Sequence, residues 1–230
     1  MLSINTWIFI THFGNSVLLL STALFMALWL HRAGAPKMAL SWLVILGMAV
    51  LLVLLTKLAF LGWGIGIESI DFTGISGHAM LSSAVLPVLA AMLTLRMNPV
   101  VCKTSIGIGF LVAAAVGVSR LVLNSHSLSE VILGWMVGCS VALPTMYLLH
   151  RMTENSRARL SSWPIVVVFA TLLTITIPRD GRPGLETHPL IVKMALWASG
   201  RSEPFHRNSL HERVSEAPES QRAIPTIATY

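Results

Sequence analysis

The segment Met38–Leu61, with the sequence MALSWLVILGMAVLLVLLTKLAFL, sets the fold class of this chain. A helix needs roughly 20 consecutive apolar residues to cross the hydrocarbon core of a bilayer. This segment reaches that length, and Lys57 is its only charged residue. Charged side chains inside membrane helices are costly and usually functional. The segment therefore predicts a membrane-spanning helix with a functional cation near one end.

Apolar runs of this kind recur along the chain. Hydrophobic residues make up 54% of the 230 residues and charged residues only 11%, whereas soluble domains carry about 25% charged residues. The sequence therefore predicts an all-α fold, a polytopic membrane bundle of about six transmembrane helices. The predicted spans are Trp7–Leu30, Met38–Leu61, His78–Leu95, Ser105–Leu123, Val131–Leu149 and the short Trp163–Ile177.

The chain divides into a membrane domain and a tail. Residues 1–178 form the predicted transmembrane domain, and residues 179–230 form a polar tail that is predicted to be mostly disordered. Within the tail, Pro189–Ser199 is compatible with two interpretations, a short interfacial helix or a loosely packed segment.

Basic residues are distributed unevenly between the loops. Loops 62–77 and 124–130 contain neither lysine nor arginine. The positive-inside rule places basic loops in the cytoplasm, so these two loops face outward. The net charge of +6 thus reflects membrane orientation, and no nucleic-acid partner is predicted. The side of the tail depends on the sixth span and stays open. The basic residues that follow the first, third and fifth spans are Arg32, Lys37, Arg96, Lys103, Arg151, Arg157 and Arg159.

The two cysteines predict neither a disulfide nor a metal site. Cys102 lies in a predicted cytoplasmic loop and Cys139 lies inside a span, so the two differ in depth. No Cys/His spacing typical of a metal site occurs. We therefore expect no metal and no cofactor.

Five ionisable residues are predicted to lie on the outer side at similar depth. Lys57 and Arg120 lie near the outer ends of the second and fourth spans. His78 begins the third span, and His126 and Glu130 flank the start of the fifth. This coincidence indicates a site near the outer face.

The segment Gly74–His78 directly precedes an apolar helix. Ser76 is a plausible N-cap, and Gly77 allows a ligand to approach the backbone. Amides at such a helix start can bind phosphate. The alternative is a plain helix cap followed by an interfacial histidine.

The second segment reads Ser119-Arg120, five residues, His126, three residues, Glu130. The planar fork of an arginine suits a phosphate. A histidine can attack phosphorus if one ring nitrogen is free and the other is held, here by Glu130. The alternatives are a capping box over 127–130 and an arginine that extends toward the interface.

Together the two segments resemble motifs of the type 2 phosphatidic acid phosphatase (PAP2) superfamily, which includes the vanadium haloperoxidases. The second family motif is Pro-Ser-Gly-His, where this chain has Ile75-Ser76-Gly77-His78. The third is Ser-Arg-x5-His-x3-Asp, which this chain matches with Glu130 in place of Asp. The resemblance covers about residues 50–150.

The resemblance implies a role for each matching residue. His126 would be the nucleophile that forms a phosphohistidine, Glu130 would orient it, and His78 would be the general acid. No metal is implied. The residues that would bind the phosphate are Lys57, Ser76, Gly77, Ser119 and Arg120.

The chain departs from the family in its first motif, Lys-x6-Arg-Pro. Lys57 can supply the lysine, but Gly64 and Ile65 occupy the arginine and proline positions. Loss of one such donor can cost about 3 kcal/mol of transition-state stabilisation. A group from elsewhere, such as the tail, would have to compensate.

The sequence supports two main hypotheses. The first is a phosphatase acting on a lipid-linked phosphate, in a bacterial inner membrane with its site facing the periplasm. Candidate substrates are phosphatidic acid, phosphatidylglycerol phosphate, a polyprenyl (di)phosphate and a lipid A phosphate. The second is a catalytically degenerate family member with a binding or structural role, motivated by the missing arginine. An ion path is a weaker alternative, because no span carries charge through its centre.

Overall fold

The computed structural model describes residues 3–94, 96–155, 163–176 and 187–208. Within these ranges the chain is built from helices, and the only extended pairing is a single bridge between Ile67 and Phe72 beside a short 3-10 turn. The prediction of an all-α fold is confirmed. The helices are α1 Ile4–His12, α2 Ser16–Arg32, α3 Pro36–Trp63, α4 Gly77–Thr94, α5 Pro99–Val122, α6 Leu128–Asn155, α7 Trp163–Thr176 and α8 His188–Ser199.

Five segments of the described chain are long and apolar enough to cross a membrane: α1 with α2, then α3, α4, α5 and α6. They match the first five predicted spans. The sixth prediction, Trp163–Ile177, corresponds to α7, of which the structure describes 14 residues; residues 156–162 and 177–186 on either side lie outside the described ranges. Large apolar side chains such as Leu40, Met48 and Leu111 are exposed on these helices, as expected for surfaces that contact lipid.

The first span consists of two helices where the sequence predicted one. The chain turns at Phe13–Gly14, and the Asn15 side chain accepts hydrogen bonds from the Val17 and Leu18 amides at 2.9 and 3.1 Å. Asn15 is therefore the N-cap of α2. The break brings the C-terminal end of α1 toward α4 and α5, since a Cβ at Gly14 would meet side-chain atoms of Val116 and His78.

Helix α4 is the centre of the bundle. It packs against α2, α3, α5 and α6, and 72% of its span is buried, compared with 28–50% for the other spans. Two glycines of α6 allow this helix to pack closely against α4. A Cβ at Gly134 would meet the carbonyl of Ser76 at 2.8 Å, and one at Gly138 would overlap the Ser83 hydroxyl and the Met80 carbonyl. Small residues spaced by four allow membrane helices to approach in this way.

Substituting Gly138 with alanine is therefore expected to destabilise the protein by about 1–3 kcal/mol, because α6 must move away from α4. The measurement is the thermal unfolding midpoint in detergent. Gly47→Ala is the matched control, since a Cβ there meets nothing within 4 Å. Equal midpoints for the two variants would contradict the proposed packing.

The C-terminal segment 187–208, the described part of the predicted tail, contains helix α8. Helix α8 packs on α3, where Gly62 lies against Ala195 and Ser199, and the Phe205 amide donates to the Leu61 carbonyl at 3.0 Å. These contacts lie at the C-terminal end of α3, the end that carries Lys57. The segment therefore lies at the same end of the helix bundle as the predicted site.

Candidate active site

A cavity of about 620 Å³ lies at this end of the bundle. All six helices from α1 to α6, or the loops that join them, contribute to its lining, and so does the C-terminal segment. Five of the residues singled out from the sequence line it together: Lys57, Gly77, His78, Arg120 and His126. Residues from three separate parts of the sequence thus meet in one place.

The loop that precedes α4 is fixed between α3 and α6. Gly74 has a φ of +148° and lies so close to Lys57 that a Cβ would meet its Cγ at 3.2 Å, so the position favours glycine. The Ile75 amide donates to the Thr56 hydroxyl at 3.2 Å, and the Ser76 amide donates to the Glu130 carbonyl at 3.1 Å. The N-terminus of α4 is thereby held at the cavity, where its backbone dipole favours an anion.

Glu130 lies behind His126 and is fully buried. Its Oε2 atom is 2.5 Å from His126 Nδ1 and accepts from the Ser127 amide at 3.2 Å and from Arg207 Nη2 at 2.9 Å. Its Oε1 atom accepts from the amide and the hydroxyl of Thr73 at 2.7 and 2.6 Å. The Glu130 amide in turn donates to the Ser127 hydroxyl at 3.5 Å. The two interpretations of 127–130 are therefore compatible, because one carboxylate both completes the capping box and contacts the histidine.

This arrangement determines which nitrogen of His126 is available for chemistry. An ionised carboxylate can only accept hydrogen bonds, so Nδ1 carries the proton toward Glu130 and Nε2 keeps its lone pair. Burial lowers the pKa of His126 below its ordinary value of 6.5, and the hydrogen bond to Glu130 offsets part of that shift. Burial therefore favours the neutral form of His126 at pH 7.

We expect the acid limb of the pH profile of catalytic efficiency to lie below pH 6.5. Protonation of Nε2 removes the attacking lone pair, so activity is present above the His126 pKa and is lost as pH falls through it. The profile can be measured as phosphate release at subsaturating substrate. A half-maximal point above 6.5 would contradict a nucleophile whose pKa is lowered by burial.

Lys57 and Arg120, two of the cations that line the cavity, come from different helices. Arg120 is half-buried near the end of α5, and its Nη1 donates to the Thr11 hydroxyl of α1 at 3.1 Å. Lys57 is half-buried near the end of α3. The packing of Arg120 against α1 argues against a side chain that merely extends to the interface. Together the two cations make the cavity attractive to a phosphate group.

Two of the predicted phosphate ligands lie outside the cavity lining. Ser119 is fully buried, and its hydroxyl donates to the Val116 carbonyl of its own helix at 2.6 Å. Ser76 is also fully buried and caps α4, with its hydroxyl 3.5 Å from the Ala79 amide. Their side chains therefore support the site and do not reach into the cavity.

Several cavity residues were not singled out from the sequence. Thr11, Thr73 and Arg207 contact the predicted residues directly, and His188 and His206 of the C-terminal segment also line the cavity. No local pattern marks them, because each reaches the site through tertiary packing. Among the described residues, no three His, Cys, Asp or Glu side chains are grouped so that they could hold a metal ion.

Comparison with known proteins gives two matches. The family model described as the PAP2 superfamily matches residues 62–154, a range that contains both motifs but not Lys57. A protein of Klebsiella pneumoniae named "Uncharacterized 22.5 kDa protein in cps region" is 33% identical over 210 residues, which cover 90% of this chain and 99% of that protein. No solved structure matches the chain.

Proposed function

This chain belongs to the PAP2 superfamily, whose members are generally phosphatases, and from that premise we propose that it hydrolyses a lipid-linked phosphomonoester or diphosphate through a phosphohistidine. One observation carries the proposal. His126, held by the buried Glu130, lines the same cavity as the two cations Lys57 and Arg120.

In the first chemical step, His126 Nε2 attacks the phosphorus atom and the bond between phosphorus and the leaving oxygen breaks. His78 lines the same cavity and donates a proton to that oxygen. The Nδ1–H bond to Glu130 stabilises the positive charge that develops on the imidazole ring. The products of this step are the dephosphorylated lipid and phosphohistidine.

In the second step, a water molecule attacks the phosphohistidine. His78, now neutral, accepts a proton from that water, and the bond between phosphorus and Nε2 breaks to release inorganic phosphate. Lys57, Arg120 and the N-terminus of α4 at Gly77 stabilise the phosphoryl oxygens in both transition states.

The shape of the cavity supports a lipid-linked substrate. Its lining on α3 runs from Leu61 back to Val50, about 16 Å along the helix at 1.5 Å per residue. The deeper part of the lining is apolar and includes Leu20, Val53 and Leu81. The cavity thus has a polar end that suits a phosphate group and an apolar extension toward the membrane interior, a combination that suits an amphiphilic substrate.

A lipid phosphate is therefore expected to be hydrolysed with at least a hundredfold higher catalytic efficiency than a soluble phosphate with the same ester bond. Each methylene of the lipid chain that becomes buried contributes about 0.8 kcal/mol to binding, so a few buried methylenes account for a hundredfold difference in catalytic efficiency. The assay compares phosphate release from dihexanoyl phosphatidic acid, below its micellar concentration, with release from glycerol 3-phosphate. Equal efficiencies would contradict a lipid substrate.

A wider panel would identify the headgroup and should include phosphatidylglycerol phosphate, a polyprenyl diphosphate and a lipid A phosphate. We propose a bacterial inner membrane as the location, with the site facing the periplasm. The bacterial relative and the lack of basic residues in loops 62–77 and 124–130 support this orientation.

The alternative is a catalytically degenerate family member with a binding or structural role. It is favoured by position 64, where the family arginine is replaced by a glycine that ends α3 with a φ of +67°. Folded protein that releases no phosphate from any lipid of the panel would support this alternative.

A further inference from the structure

The C-terminal segment 187–208 forms one side of the cavity. Thr187, His188 and Ile191 line it from the start of α8, and Phe205, His206 and Arg207 line it from the residues that follow the helix. The segment is attached to α3 through the buried Ala195 and through the hydrogen bond from the Phe205 amide to Leu61. Residues far from the two motifs in sequence are thus part of the cavity wall.

Arg207 connects this segment directly to Glu130, the carboxylate that contacts His126. Its Nη2 donates to Glu130 Oε2 at 2.9 Å and to the Thr73 hydroxyl at 3.3 Å. Its Nη1 donates to the Asp71 carbonyl at 3.1 Å and forms an ion pair with the Asp71 carboxylate. One guanidinium therefore joins the loop before α4 to the N-terminus of α6.

The contact with Glu130 has a direct chemical consequence. The Glu130 carboxylate is fully buried, and a buried charge without a compensating partner is strongly unfavourable. Arg207 and His126 share the same oxygen of that carboxylate. The two terminal nitrogens of the planar guanidinium contact different partners, Nη2 the Glu130 carboxylate and Nη1 Asp71, so the side chain fixes these two residues relative to each other. The orientation of the His126 ring thus depends on the C-terminal segment.

We propose that Arg207 is a positioning residue of the active site and that the C-terminal segment completes this site, a role that rests on the proposed phosphatase function. Arg207 holds Glu130 and the 71–73 loop in place, and Glu130 in turn holds His126 with Nε2 directed toward the substrate. A cation supplied by the tail thereby contributes to the site of a chain whose first motif lacks one.

The test uses the full chain and compares Arg207→Ala with Arg207→Gln, which keeps an amide donor, and with Lys193→Ala. Lys193 is an exposed cation of the same segment outside the cavity lining. We expect kcat to fall about tenfold to a hundredfold in Arg207→Ala with KM little changed, and less in Arg207→Gln. Millimolar guanidinium should restore part of the activity of Arg207→Ala. The Lys193→Ala variant should match the parent.

A second readout does not depend on turnover. The pKa of His126 can be followed by NMR of protein labelled with 13C at the histidine ring and assigned by the signal missing in His126→Ala. Removing the positive charge of Arg207 should raise this pKa, because a nearby positive charge disfavours the protonated imidazole. The other charged or titratable groups that face His126 stay unchanged in the variant: Lys57, His78, Arg120 and Glu130.

The kinetic measurement and the His126 pKa together distinguish a failure of the proposed role of Arg207 from a failure of the proposed phosphatase function. If the parent releases phosphate and Arg207→Ala equals Lys193→Ala in kcat and in the His126 pKa, the role of Arg207 is wrong and the phosphatase function stands. If the parent releases no phosphate from any lipid, the proposed function fails. In that case an unchanged His126 pKa in Arg207→Ala and Arg207→Gln also overturns the positioning contact.

Discussion

Replacing His126 by alanine is expected to reduce phosphate release by on the order of 10⁴-fold or more, because the variant lacks the nitrogen that attacks phosphorus in the proposed mechanism. His126 lines the cavity with its Nδ1 held 2.5 Å from Glu130. His78 lines it too, but the proposed mechanism assigns it the proton transfers. The measurement is the rate of phosphate release by purified protein with the preferred lipid.

The matched control is His31→Ala, which removes an exposed histidine at the opposite end of α2. It should retain the parental rate. Residual activity of His126→Ala above about one tenth of the parental rate would indicate that another nucleophile acts, and the mechanism would have to be abandoned.

Glu130→Gln is expected to have the next largest effect, a decrease in kcat of about 10²- to 10⁴-fold. Both carboxylate oxygens accept from donors: Oε1 from the amide and hydroxyl of Thr73, and Oε2 from His126, Ser127 and Arg207. A glutamine replaces one of these oxygens by an NH₂ group, which then faces donors. His126 loses its orientation and its charge compensation, so kcat falls more than KM rises.

Two further variants make this result specific. Glu203→Gln changes an exposed carboxylate of the C-terminal segment and should behave as the parent does. Glu130→Asp retains the charge but shortens the side chain by one methylene, and it should lose less activity than Glu130→Gln. If Glu130→Gln kept the full kcat, the carboxylate would serve only as a helix cap.

The parts of the site that are local in sequence could be predicted from it. His126 and Glu130 are four residues apart, so the turn that begins α6 brings them together wherever that helix packs. Ser76 directly precedes α4 and caps it as expected. The five long spans were predictable for the same reason, since length and apolar composition alone determine whether a helix can span a bilayer.

The contacts that depend on packing could not be predicted. Arg207 is 77 residues from Glu130, and Thr11 is 109 residues from Arg120. No spacing rule connects such pairs, because their distance depends on how whole helices are arranged. A short helix over Pro189–Ser199 was one of two interpretations of the tail, but its packing against α3 has no signal in the sequence.

The break in the first span did have a signal in the sequence. Gly14 and Asn15 form a pair that commonly ends one helix and begins the next, and Asn15 does cap α2. The long apolar run around this pair favoured a single helix in the prediction. The consequence of the break is functional, since it places Thr11 beside Arg120.

The most direct test of the central claim is to trap the phosphohistidine. Protein mixed with a 32P-labelled lipid phosphate and quenched in alkali within the first turnover should carry label that is stable to base, labile to acid and located by mass spectrometry on His126. His126→Ala should carry none. Hydrolysis by the parent without any label on His126, under conditions in which a known phosphohistidine standard survives, would contradict the mechanism.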